Sequence, residues 1–224
     1  MAAPPRGAIR WRLGIPLSMD PFHELVAPLV AWRVRPEIRL MEAAKEEGRV
    51  LDFVKGLRLS SRVIYALRET VGGRSDLDVN WGHLLDEQQR SCSPECDIII
   101  HRRGHGQVAR LNGNKGGRVM DFVFIEASSA LAVVSCKSSL DAIRAKEKAY
   151  CKAMKGYVQK VFLLVECCAG KAVAALDRAA TRAGYDAFCH LYTLDPGSHV
   201  CVPNEPGWQA LAELVLALGK RRQR

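Results

Sequence analysis

The chain has 224 residues, enough for one medium domain with appendages or at most two small domains. Its hydrophobic content of 48% allows a sizeable core and excludes low-complexity disorder for most of the chain. The formal net charge of +9 favours an anionic partner, with nucleic acid as the default candidate; the alternative is a basic surface that only aids solubility. No uncharged apolar run reaches about 18 residues, so no membrane-spanning helix and no membrane partner are predicted.

The first twenty residues form a segment of their own. Residues 1–20 are basic, contain prolines and lack the apolar centre of a secretory signal. They predict either a flexible basic arm or a mistaken translation start, with Met19 as the alternative beginning.

The eight cysteines do not resemble a secreted disulfide framework, because several lie in apolar runs and Cys167 and Cys168 are adjacent. We interpret them as reduced, buried thiols of a cytoplasmic protein. Cys92, Cys96, His101 and His105 have a spacing that could hold zinc. The residues between the two pairs, however, have the composition of a buried strand, which would hold the pairs apart.

Apolar periodicity, β-branched runs and glycine pairs predict the following elements. In chain order they are helices over 21–54, interrupted near Pro36; a helix over 57–71; strands over 77–87, with a bend at Gly82, and 96–102; a glycine-rich basic hairpin or loop over 103–119; strands over 121–126 and 130–137; a helix over 139–156 with Ser139 as N-cap; a strand over 160–167; a helix over 171–184; a strand over 186–194; and a helix over 208–219.

Continuously apolar central strands indicate a sheet that is covered on both faces, which is the pattern of an α/β protein with a mixed sheet between helices. We divide the chain into the arm at 1–20, N-terminal helices at 21–54, a core at 55–195, and a C-terminal helix with a basic tail at 196–224.

Two charged residues stand at the ends of buried strands. Asp97 opens the strand "DIII" and Lys137 closes the strand "ALAVVSCK". A charge at such a position costs desolvation free energy unless it is paired or used. Each residue alone is explained by a strand-end ion pair or a snorkelling lysine. Together they match the needs of phosphodiester hydrolysis, in which carboxylates hold a divalent metal and a lysine stabilises developing charge.

The stretch "SPECDIII…VVSCKSSL" resembles the PD-(D/E)XK superfamily, the restriction-endonuclease-like nucleases, and in particular an uncharacterised bacterial branch of it. The matching residues are Ser93, Asp97, Lys137, Ser138 and Leu140, and the resemblance covers roughly residues 55–195. It implies a three-layer core, a metal ion held at Asp97, and Lys137 as the catalytic lysine.

The acid of the family's Glu-x-Lys motif is absent, because Ser135 stands two residues before Lys137. A second departure is Leu59, where the branch often carries a glutamate on the preceding helix. A hydroxyl is a much poorer ligand for Mg²⁺ than a carboxylate. Either another acid has taken over, from Glu126, Glu87 or Glu95, or the metal site is lost.

Three functions remain open at this point. The first is an endonuclease that hydrolyses DNA with Mg²⁺ or Mn²⁺, using Asp97 and Lys137 with Glu126 or Glu95 as catalytic groups, and Asp97 with Glu126 or Glu87 as metal ligands. The second is a catalytically inactive module that binds nucleic acid or a protein partner. The third is a generic α/β domain with an accidental resemblance.

The first two functions share the same predicted contacts. The basic residues expected to touch DNA phosphates are Arg102, Arg103, Arg110, Lys115 and Arg118, with a further contribution from the tail at 220–224. A second copy of the chain, or a partner subunit that supplies the missing acid, is the expected protein partner.

Overall fold

The computed structural model describes residues 21–33, 48–72, 76–111, 122–194 and 201–219. The predicted arm at 1–20, the tail at 220–224, and Lys115 and Arg118 lie outside these residues. The helices are α1 (Pro21–Arg33), α2 (Gly48–Val71), α3 (Ala145–Met154), α4 (Val173–Ala183) and α5 (Glu205–Ala217). The strands are β1 (Leu77–Leu85), β2 (Cys96–Arg102), β3 (Gln107–Leu111), β4 (Phe122–Glu126), β5 (Ala130–Ser139), β6 (Lys160–Cys168), β7 (Ala187–Leu194) and β8 (Cys201–Pro203).

Within the described residues, eight strands form one mixed sheet in the order β3-β4-β1-β2-β5-β6-β7-β8. The central strands β5, β6 and β7 are parallel to one another, and β4 is parallel to β1. The other neighbouring pairs are antiparallel. The predicted bend at Gly82 coincides with a shift in register between β1 and β2. A Cβ at Gly82 would collide with the carbonyl oxygen of Val123 on β4, so the strands can pair closely only around a glycine.

Helices cover both faces of the sheet, which confirms the predicted three-layer α/β architecture. Helices α1, α2 and α5 pack on one face, where their side chains form a single apolar core with residues such as Ile98, Val134 and Phe162. Helices α3 and α4 pack on the other face, against residues such as Ile99 and Val133. Burial on both faces explains the continuously apolar strands. No helix in the described ranges is long and apolar enough to cross a bilayer.

Several predicted boundaries were wrong. Strand β5 continues to Ser139, which pairs with Cys167 of β6, so Ser139 is not a helix N-cap and the next helix begins only at Ala145. Helix α2 passes without interruption through Gly56, where two helices were expected to be separate. The predicted basic hairpin or loop contains an edge strand, β3, that pairs antiparallel with β4, in agreement with the hairpin alternative; the short edge strand β8 was not predicted.

Candidate active site

The candidate site lies where two neighbouring strands part. Strands β2 and β5 pair as far as Ile98 and Val134, near the beginning of β2. Strand β5 nevertheless continues beside β6 to its pair at Ser139 and Cys167. The last residues of β5 therefore have a neighbouring strand on one side and an opening on the other, with the beginning of β2 at its edge.

Asp97 closes part of this opening. Its Oδ2 accepts a hydrogen bond of 2.8 Å from the backbone N–H of Cys136. Side chains alternate along a strand, so Ser135 and Lys137 lie on one face and Cys136 on the other. Cys136 indeed packs in the core on the α1–α2–α5 face. Asp97 and Lys137, predicted from their positions at strand ends, are therefore brought together on the face covered by α3.

A cavity of about 250 Å³ holds these side chains. Its lining residues are Glu95, Asp97, Ser135, Lys137, Lys146, Glu147 and Tyr150. Three carboxylates, two lysines and the serine at the motif position thus share one space. Glu95, one of the predicted replacement acids, is exposed at the rim, and its Oε1 accepts a hydrogen bond of 2.5 Å from Trp81 Nε1.

Glu147 is the acid that sequence reasoning missed. It lies in the first turn of α3 and is only 2% exposed. Its Oε2 accepts a hydrogen bond of 3.1 Å from the backbone N–H of Arg144, which fixes the carboxylate at the helix N-terminus. In the sequence, Glu147 precedes Cys151 and Met154 at helical spacing, and all three are buried. A glutamate on the apolar stripe of a helix is the signal that could have identified it.

The cavity is a costly place for negative charge. Burial raises the pKa of Asp97 above its usual value, and this effect outweighs the hydrogen bond from Cys136 and the positive charge of Lys137, which both lower it. Glu95 adds to the increase in the pKa of Asp97. A bound cation would relieve this cost. Burial also raises the pKa of Tyr150 well above 10, so its hydroxyl remains protonated.

Glu126 and Glu87 lie elsewhere. Both line a separate cavity of about 560 Å³, together with Asp86 and Tyr157, and neither Asp97 nor Lys137 lines that cavity. Glu126 ends β4, which pairs with β3 and β1, and so does not border the opening beside β5. Alternation and strand order place these two acids away from Asp97, and their predicted role as ligands of the same metal ion has no support in this arrangement.

The predicted basic contacts also lie apart from the cavity. Arg102 and Arg103 are exposed at the end of β2 opposite Asp97. Arg110 lies on β3, of which only the backbone is described. His101 lies near the same end, buried and hydrogen-bonded to Asn80 at 2.8 Å, so β2 separates it from Cys96 and the zinc interpretation fails.

The residues in the cavity fit a hard divalent ion. Mg²⁺ is usually held by one or two carboxylates, with water and substrate phosphate oxygens completing its coordination. Asp97 and Glu147 supply two carboxylates, and Ser135 adds a hydroxyl. In the described ranges, no group of three or more His, Cys, Asp or Glu side chains lies close enough together to hold a metal ion. A metal ion at this site would therefore depend on two protein carboxylates.

Comparison with solved structures supports the fold at low sequence identity. NucC from P. aeruginosa ATCC27853, in its cAAA-bound form, aligns with 92% of this chain and 93% of its own at a TM-score of 0.57 and 12% identity. NucC from E. coli MS115-1, also cAAA-bound, aligns over 92% and 93% at a TM-score of 0.56 and 11% identity. No family model matches the sequence, and the search of curated proteins found no match. The chain therefore shares the fold of NucC, a nuclease of the PD-(D/E)XK type, and the predicted α/β fold with a mixed sheet between helices is confirmed.

Proposed function

We propose that this chain is a divalent-metal-dependent nuclease in which Glu147 provides the acid that is absent at Ser135. The observation that carries this proposal is the shared cavity: Asp97, Lys137 and Glu147 all line it. A carboxylate from helix α3 thus lies in the space that a glutamate at position 135 would occupy. Both carboxylates come from one chain, so no partner subunit is needed to complete the site.

Each residue has a chemical role in this proposal. Asp97 and Glu147 would hold Mg²⁺ or Mn²⁺. When bound, the ion would neutralise charge at the phosphate and lower the pKa of a water molecule. Lys137 donates to a phosphate oxygen and stabilises the negative charge that develops there. The backbone N–H of Cys136 orients the Asp97 carboxylate, so that this acid is positioned before substrate arrives.

DNA is the proposed substrate, because the net charge of +9 favours a polyanion. Self-association of the chain, with activity as a homodimer, stays a prediction. Nothing in the catalytic cavity requires a second copy of the chain.

A second candidate function is an inactive nucleic-acid-binding module. One observation favours it: the Glu147 carboxylate already has partners without a metal ion. Its Oε2 accepts from the Arg144 backbone, and its Oε1 is 3.8 Å from Lys146 Nζ. A carboxylate satisfied in this way is compatible with a site that has lost its ion.

Cleavage of supercoiled plasmid with Mg²⁺ or Mn²⁺ tests the proposal, with Glu126→Gln as the matched control. We expect Glu147→Gln and Asp97→Asn to abolish nicking, because each removes one carboxylate while keeping the size of the side chain. Lys137→Met should reduce the rate by about 10²–10³-fold, the usual effect of losing a group that stabilises developing charge. Glu126→Gln should cut normally.

Mn²⁺ binding, followed by calorimetry, gives a second readout. We expect Glu147→Gln to weaken binding and Glu126→Gln to leave it unchanged. Loss of cutting in Glu126→Gln with retention in Glu147→Gln would contradict the proposal. A parent protein that binds DNA but neither cuts it nor binds Mn²⁺ would establish the inactive module.

A further inference from the structure

A second, larger cavity opens beside the catalytic one. Its volume is about 550 Å³. It lies at the carboxyl ends of the parallel strands β5, β6 and β7, where Ser139, Cys168 and Leu194 line it, and at the N-terminus of α3. In open α/β sheets, ligands bind outside the carboxyl ends of the strands. The N-terminus of a helix in addition presents partial positive charge.

Cations dominate the lining of this second cavity. Arg33, Lys137, Arg144 and Lys146 all line it, against the carboxylates of Asp141 and Glu147. A concave surface with this balance concentrates positive potential and attracts phosphate.

Arg33 is the fixed cation of the group. Its Nη1 donates a hydrogen bond of 3.2 Å to the carbonyl oxygen of Ser138 and lies 3.7 Å from Glu166 Oε1. Its side chain is only 15% exposed. Arg33 therefore contributes a positively charged side chain of fixed position to the lining of the cavity.

Arg144 and Lys146 are the outer cations. Arg144 Nη2 lies 3.1 Å from Asp141 Oδ1, and their side chains are 63% and 78% exposed. Lys146 is 76% exposed. An exposed ion pair of this kind contributes little to stability, so a phosphate can replace Asp141 as the partner of Arg144 at little cost.

We propose that this second cavity binds the phosphate next to the scissile one on the same DNA strand. Three residues, Lys137, Lys146 and Glu147, line both cavities, so the two spaces are adjacent. A strand whose scissile phosphate lies at Asp97 and Lys137 can therefore place a neighbouring phosphate among the cations of the second cavity. This inference rests on the proposed function, because the first phosphate is the one to be cut.

The alternative surface is the basic segment predicted from sequence. Arg102 lies five residues along β2 from Asp97, about 17 Å at the usual rise of a strand. A phosphate bound there is not adjacent to the catalytic cavity. The two surfaces therefore predict different effects of mutation.

Binding of the full chain to a labelled DNA duplex, measured by anisotropy in EDTA from about 50 to about 200 mM salt, tests the inference without cleavage. We expect the double variant Arg144→Gln/Lys146→Gln to bind more weakly. The slope of log K against log salt should become shallower by about 2, close to one unit for each lost phosphate contact. Lys152→Gln, an exposed lysine on the same helix that lines neither cavity, should leave the slope unchanged.

Two results would overturn the inference. One is an equal decrease of the salt slope in Lys152→Gln, which would mean that DNA binding depends only on the total charge of the protein. The other is an unchanged salt slope in Arg144→Gln/Lys146→Gln together with a shallower salt slope in Arg102→Gln/Arg103→Gln. The plasmid assay keeps the two proposals separate. If the parent does not cut plasmid but Arg144→Gln/Lys146→Gln has a shallower salt slope, the phosphate site stands and the nuclease proposal fails. If the parent cuts plasmid and the salt slope of Arg144→Gln/Lys146→Gln is unchanged, the nuclease proposal stands and the phosphate site fails.

Discussion

Ser135 and Glu147 reach one cavity from two different elements, β5 and α3. What a metal ion requires is a carboxylate oxygen at a certain place, and the element that supplies it is of secondary importance. The same space can therefore be served from position 135 or from position 147. This equivalence has a direct experimental consequence.

Ser135→Glu should restore metal-dependent cleavage to the inactive Glu147→Gln variant. The new side chain begins in the cavity that contains Asp97 and Lys137, and the loss of the Glu147 charge removes the repulsion between two acids. Partial recovery of plasmid nicking is the expected result, measured beside Glu147→Gln alone.

Ser135→Gln in the same background is the matched control, since it has the size of glutamate without the charge. Recovery with glutamine would show that the rescue comes from packing, and failure of both double variants would disprove the equivalence of the two positions.

Asp97 and Lys137 were predictable because each is a charge at the end of an apolar run, where the cost of desolvation calls for an explanation. Glu147 was not predicted, because its helix is rich in lysine and its local sequence does not show that the first turn lies beside Lys137. Only the packing of α3 against β5 brings its first turn to the strand end. Contacts between distant segments of this kind leave a weak trace in local sequence.

At the level of elements, strand pairing decides boundaries that local propensity leaves open. Residues 139–144 are compatible with the start of a helix, yet Ser139 pairs with Cys167 and Arg33 donates to Ser138. These tertiary contacts keep the chain extended past Lys137. Strand β8 has only three residues, too few for an alternating apolar pattern, and it forms by pairing with the edge of β7. The long apolar strands β5, β6 and β7 and the end of α4 at Gly184 were predictable.

Helix α5 depends on a cap that is sensitive to pH. Asn204 Oδ1 accepts a hydrogen bond of 3.2 Å from the Gly207 N–H, and its Nδ2 donates to the carbonyl oxygen of His190 and lies 3.2 Å from His190 Nδ1. That ring nitrogen can accept only when it is unprotonated. Burial lowers the pKa of His190 below 6.5, so the folded state favours the neutral ring.

The unfolding free energy should therefore fall in acid through His190. A folded-state pKa below the unfolded value of 6.5 gives a contribution that is complete above pH 6.5 and is lost as the pH falls through the folded pKa. Urea unfolding at about pH 7.5 and about pH 5 should show a larger loss for the parent than for His190→Gln, by about 1 kcal/mol, the value of one hydrogen bond. Equal losses would mean that this histidine does not titrate with folding.

Across the whole molecule, segments that the sequence divided into separate parts share one core. Leu29 of α1 and Trp208 of α5 are buried together with Leu59 of α2 and the sheet residue Ile98. Leu59, one of the departures from the family pattern, is fully buried there, on the face away from the catalytic cavity. The N-terminal and C-terminal helices are thus structural layers of the α/β fold.

Leu29→Ala should destabilise the entire domain by about 2–5 kcal/mol, because it removes a fully buried side chain. Helix content and tertiary signal should be lost in one urea transition with the slope of the parent, as expected for a shared core. Leu214→Ala on α5, where the side chain is 40% exposed, is the control and should change stability by no more than about 0.5 kcal/mol. An early, separate transition in Leu29→Ala would mean that α1 is an independent unit.

The hydrogen bond from Cys136 to Asp97 also affects which residues are retained during evolution. Because this carboxylate ties the start of β2 to the end of β5, its loss would leave a backbone N–H without a partner whether or not the protein cuts DNA. Selection for folding alone would therefore preserve Asp97 in a lineage that had given up catalysis. Glu147 has a comparable structural role, because it accepts a hydrogen bond from the Arg144 N–H at the start of α3. Among descendants of a common ancestor, the survival of these two acids therefore does not by itself mark a working enzyme.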